Sequence, residues 1–273
     1  MKLDNPAARL LTILEQGIEL QNEMGCRKAW CQLLNVPKGE NAMLMGRIGK
    51  VMSLSTDIIE NLKNIGDVKI DRYLHWVEPL ETAFINSNLN SPWSTFKSHI
   101  NVHVINYLSM TSDLLSHKNA ESIISEPSLD SILLNTRALI DEVRDSNLPD
   151  HIKKFMIKQL HEICLAVEEH SICGSESVSR AVNAAFGYGV LHADSVELAK
   201  SDPIAKKFWQ QMANVALIVS ISTGIQQLAP PIMKLLPEIN FEESCIENNS
   251  QVQPEHTQRR ASTENASNAE TSA

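Results

Sequence analysis

The chain has 273 residues, 43% of them hydrophobic, and a net charge of −9. That is apolar material for a sizeable core in one or two domains, and the lack of a basic stripe argues against duplex nucleic acid as a partner. The charge is uneven. From Glu238 to Ala273 seven Glu face only Arg259 and Arg260, which leaves the body near −4, ordinary for a soluble protein.

Five cysteines, Cys26, Cys31, Cys164, Cys173 and Cys245, match no zinc spacing and form an odd set. They predict reduced thiols, four of them small core residues, in a cytoplasmic protein. The opening Met-Lys-Leu-Asp-Asn-Pro lacks the pattern of a signal peptide.

In chain order the pattern predicts helices almost throughout. Asn5-Pro6 reads as an N-cap and first turn, and Leu10, Leu11, Leu14 and Ile18 mark a helix to about Glu23, with Gly25 as its stop. A short helix spans Arg27 to Asn35, and another runs from Glu40 to Met52. Ser55 reads as the cap of a third. The segment Asp71 to Phe84 is aromatic-rich and interrupted at Pro79. Ser91-Pro92 opens a helix whose apolar stripe includes Trp93, Phe96, Val104 and Leu108 and which ends near His117.

Residues 118–127 form the predicted linker. Helices then start at Ser128, at Pro149, at Ser175 and at Ser201-Asp202-Pro203. The last leads into 26 residues, Phe208 to Met233, without a charge, closed by Pro230-Pro231. No strand alternation persists. The expectation is an all-α bundle of about nine or ten helices. It comprises an N-terminal half (1–117), a C-terminal half (128–236) and a disordered acidic tail (237–273).

The charge-free run separates two readings. As a helix, Phe208 to Ala229 would span roughly 33 Å, enough for a bilayer. Yet Gln210, Gln211 and Asn214 project to one side and Gln226 and Gln227 nearly opposite, so no polar face forms. That favours a helix surrounded by other helices. Ala216, Ser220 and Gly224 recur every four residues, a small-residue ladder that admits a close helix and marks the predicted interaction face.

Chemical constellations are few. His99 and His103 have the i, i+4 spacing of helical metal ligands, but Ile100 stands where a zincin needs Glu, and ordinary histidines are the better reading. Arg144 and His151, with six residues between them, resemble the Arg-x4–6-His motif of HEPN-type ribonucleases at its limit, in which the pair acts as acid and base on the RNA 2′-hydroxyl. Pro149 between them points to an interhelix turn. His161-Glu162 and Glu168-Glu169-His170 read as solvated charges. A helix-turn-helix made of Arg27 to Val36 and a second helix from Glu40 would have Lys38, Arg47 and Lys50 as its nearby basic groups and too few polar readers. Arg259-Arg260-Ala261-Ser262 has the form of a basophilic kinase site.

Lys28-Ala29-Trp30-Cys31-Gln32-Leu33-Leu34-Asn35-Val36 and Lys206-Lys207-Phe208-Trp209 together resemble an uncharacterised family of bacterial all-helical proteins. The resemblance implies a bacterial accessory protein and carries no activity. The expected function is a non-enzymatic interaction or regulatory protein, with a protein partner or self-association and no cofactor. The alternatives are a membrane-acting effector using residues 208–233 and a HEPN-like ribonuclease.

Overall fold

The computed structural model describes residues 4–66, 69–118 and 123–223, all within one compact unit. The chain is all-α, as the periodicity predicts. Among the described residues there are nine α-helices of eight residues or more, two shorter ones, and no strand beyond an isolated bridge between Gly25 and Pro92. Residues 119–122 of the predicted linker and the whole predicted tail lie outside the described residues.

The N-terminal half holds α1 (Pro6–Glu19), α2 (Cys26–Leu33), α3 (Asn41–Lys63), α4 (Val77–Asn86), α5 (Ser94–Lys97) and α6 (Val102–Lys118). Central α1 packs on α2, α3 and α6. Asn5 caps it: Oδ1 accepts from the Ala8 N–H at 2.8 Å, and Pro6 takes the first position, where no N–H is needed. The helix ends at Glu19, a turn before the predicted Glu23. Trp93 sets that end, because its indole N–H donates to the Gly17 carbonyl at 2.7 Å. The ring lies so close that a Cβ on Gly17 would sit 3.1 Å from it. Beyond α1 the chain runs beside 89–94, with the Cys26 N–H on the Ser91 carbonyl at 2.8 Å. Trp30, Phe84, Trp93 and Phe96 form the aromatic centre, with ring centroids 4.8 to 5.7 Å apart.

Three more predictions for this half change. The helices expected at 40–52 and after Ser55 are one, α3. The Ser55 hydroxyl turns back to the Met52 carbonyl at 2.8 Å instead of capping, while Leu44, Ile48, Val51, Leu54 and Ile58 keep the buried face continuous. Pro79 does not interrupt a helix. It lies in the first turn of α4, where its missing N–H has no partner to lose. The helix expected over Ser91 to His117 is split at 98–101, because Asn101 Oδ1 accepts from the His103 and Val104 N–H groups at 2.9 and 3.2 Å and caps α6.

The C-terminal half holds α7 (Glu126–Asp145), α8 (Asp150–Glu168), α9 (His170–Leu191), α10 (Ala193–Glu197) and α11 (Pro203–Thr223). α7 starts from Ser125, earlier than the predicted Ser128, with Pro127 in its first turn. Gly174 breaks α9, so its regular part begins at Ser175, as predicted. Asp202 Oδ1 accepts from Ile204 and Ala205 at 2.8 and 3.0 Å, which is the predicted cap before Pro203. α7, α8 and α9 pack in succession, and α11 closes against α7 and α9. Phe155, Phe186, Phe208 and Trp209 are buried at the centre of this half.

Candidate functional site

Where the ends of α8 and α9 meet α1 and α3, the structure builds a buried polar seam in two clusters. The first centres on Arg47 of α3, only 3% exposed. It donates to the Leu34 and Asn35 carbonyls at 2.9 and 3.0 Å and to Glu169 at 3.4 Å, with Glu168 3.6 Å away. Lys50, one turn on, pairs with Glu169, and Arg137 of α7 pairs with Glu168 at 2.7 Å. Asn35 is left-handed (φ 49), a conformation asparagine tolerates.

Asp4 organises the second cluster. It pairs with Arg9 and accepts from the Ser175 N–H at 2.8 Å, so it caps the regular part of α9 from 171 positions away. Arg9 Nε donates to the Ile172 carbonyl at 2.9 Å, and His170 Nε2 lies 3.3 Å from Ser175 Oγ. Gly174 (φ 70, ψ −174) makes the approach possible: a Cβ there would come within 2.9 Å of Asp4 Oδ1 and strike the Arg9 guanidinium. Asn5 extends the seam to α6, donating to the Ser112 carbonyl at 3.3 Å and to Ser116 Oγ at 2.9 Å.

Asp4, His170 and Ser175 are the residue types of an acyl-transfer triad, but their geometry serves the fold. Ser175 is fully buried, and the carboxylate engages the Ser175 N–H and Arg9, not the imidazole that a triad would orient. Burial acts to raise the Asp4 carboxyl, yet Arg9 and the Ser175 hydrogen bonds hold it below its ordinary value. His170 is pushed down, mainly by burial and further by Arg9, against the pull of Asp4, which favours the neutral ring. Burial raises the thiols of Cys26, Cys164 and Cys173, and thiols so raised are poor nucleophiles. The crevice beside Gly17 and Trp93 has room for about one water, ≈ 10 Å³, and an almost wholly apolar lining.

The seam overturns two sequence readings. Glu169 and His170, expected to be solvated, are buried. The signal was present: paired acids at a helix C-terminus oppose the helix dipole and need cations from elsewhere. Arg47 and Lys50, weighed as groups for a DNA-binding turn, are engaged inside the chain.

The other candidates fall as follows. His99 lies in the turn before α6 and His103 in its first turn, so they do not share a helix face. Among the described residues no group of three or more His, Cys, Asp or Glu is arranged to hold a metal. Arg144, at the end of α7, pairs with Asp141 at 2.7 Å. His151, at the start of α8, lies 3.9 Å from Asp194, and both are exposed.

In the predicted ladder Ala216 is buried in the chain's own core and Ser220 bonds its carbonyl at 2.8 Å, while Gly224 lies outside the described residues. α11 buries Phe208, Trp209, Met212, Val215 and Val219, and buried Gln211 donates to Thr136 Oγ1 at 3.0 Å. Its outward face carries Asn214, Leu217 (48% exposed) and Ile221 (73% exposed). No helix among the described residues is long and apolar enough to cross a membrane. No protein-family model, curated protein or solved structure matches the chain.

Proposed function

We propose that the chain is a non-enzymatic interaction or regulatory protein, a bacterial cytoplasmic accessory protein that assembles with a protein partner or with itself. The observation that carries this reading is the outward face of α11. Leu217 and Ile221 stand one turn apart, exposed, on a helix whose inner face is already filled by the chain's own core. Covering such side chains is worth about 1.5–3 kcal/mol each, and no charged side chain stands between Phe208 and Met233, Asn214 being the polar group that shares their face.

A membrane-acting effector in growth arrest or phage defence would use the same helix, but only after pulling Phe208, Trp209 and Met212 out of their packing. A HEPN-like reaction would need Arg144 and His151 to turn from Asp141 and Asp194 onto one phosphate. The interaction reading asks for no rearrangement.

A photo-crosslinking amino acid at Leu217, in cells that naturally make the protein, tests it. A crosslink to a second copy or to one defined protein is expected. Labelling no stronger than at exposed Glu197 contradicts the reading.

A further inference from the structure

The outward face of α11 lies beside the point where the described chain ends. Leu217 and Ile221 stand exposed on it, with Ile218 half-buried next to them, and the description stops at Thr223. Along the helix axis the two exposed side chains lie about 9 and 3 Å before Thr223. The sequence that follows is apolar and uncharged as far as Met233, with Ile225, Leu228, Ile232 and Met233 as its large side chains. It has the composition that such a face would bury.

Its length and order fit that task. Glycine is the residue at which helices most readily turn, and Gly224 comes first. Pro230-Pro231 disfavours a helix at the residue before each proline, which suits a strap laid along α11 better than a longer α11. Extended chain advances about 3.3 Å per residue. A turn over Gly224 and Ile225 therefore brings Leu228 back level with Leu217.

The tether decides between possible occupants. A segment joined to the face by so few residues has an effective concentration in the millimolar range. A second copy or another protein at ordinary concentration meets the face only in competition with it.

We infer that residues 225–232 fold back over α11 as an intramolecular cover, with Leu228 on Leu217 and Ile221, and that a partner must displace it. This rests on the reading of α11 as an interaction face and adds its regulation. Displacing the cover leaves Phe208, Trp209 and Met212 in their packing.

Peptide-resolved alkylation of Leu217→Cys in the full chain tests it, against Glu197→Cys as an exposed reference. A cover in place about nine-tenths of the time slows labelling about tenfold. That slowing is expected at every protein concentration from about 1 to about 100 μM, below the effective concentration of the tether, and Leu228→Asp should abolish it. Labelling at the reference rate, or slowing that survives Leu228→Asp, overturns the cover. Slowing that grows with protein concentration puts a second copy on the face, which overturns the cover and leaves the interaction reading standing. In cells, Leu228→Asp should raise the Leu217 photo-crosslink to the partner several-fold, and a crosslink it does not change overturns the competition. Relief of slow alkylation by Leu228→Asp without a crosslink in either chain keeps the cover and overturns the interaction reading.

Discussion

His170 shows how far a residue's role departs from its local sequence. In the run Glu168-Glu169-His170 it looks solvent-facing, yet it is buried beside Ser175, with the charges of Asp4 and Arg9 acting on it from positions that sequence proximity cannot bring near. The consequence is a pH dependence. Burial holds His170 below its ordinary 6.5, so the unfolded chain takes this proton more readily than the folded one. Stability is therefore full above 6.5 and falls as the pH drops from there towards the lowered folded value, at no more than about 1.4 kcal/mol per pH unit. Asp4 acts in the same direction further down. Its contribution is present above 3.8 and is lost as the pH falls through its lowered value. Urea unfolding across this range should show both steps, and His170→Gln should remove the first and keep the second. An unchanged slope in the variant would contradict the role given to His170.

At the scale of elements, sequence reading succeeded where the signal is local. The caps at Asn5 and Asp202 are set by residues within a turn of the boundary, and the break that lets α9 restart at Ser175 is the adjacent Gly174, although the cap there comes from distant Asp4. It failed where a distant group decides. α1 stops early because Trp93 takes the Gly17 carbonyl across 76 positions. Ser55 has the chemistry of a cap, yet the unbroken apolar face of α3 overrides it. The interaction ladder was placed on the side of α11 that the bundle covers at Ala216, since a charge-free helix gives no polar face from which to tell inside from outside. Gly174 is the element most exposed to a single change. Its backbone lies in a region open essentially to glycine alone, and a Cβ would also break the contact of Asp4 and Arg9 with α9. Gly174→Ala should cost at least about 2 kcal/mol, read as a lowered urea midpoint at unchanged slope. An unaltered midpoint would mean that α9 does not depend on this turn.

At the scale of the whole molecule, the sequence divides at 118–127 into two helical halves. The structure has an aromatic centre on either side of that stretch and joins the two within one compact unit. Ile172, from the C-terminal half, belongs to the apolar core of the N-terminal half. Arg47 and Lys50 reach Glu168 and Glu169, and Asp4 caps α9. Apart from Ile172, the joining residues are polar and their partners more than a hundred positions away, which is why hydrophobic periodicity gave no sign of them. Such a seam is costly to open from one side: without Arg47 the Leu34 and Asn35 carbonyls lose their buried donor, at about 1–3 kcal/mol for a polar group left unpaired, while Glu169 keeps Lys50 and Glu168 keeps Arg137. The two halves should therefore unfold as one, with the outward face of α11 carried on that same cooperative unit.

Hydrogen exchange of the full chain, comparing the slowest amides of α1 with those of α8 in the native protein and in Arg47→Ala, measures this directly. Equal opening free energies in both helices are expected, lowered together in the variant by about 1–3 kcal/mol. Amides of α8 that keep their protection while those of α1 lose theirs would show that the seam does not join the halves.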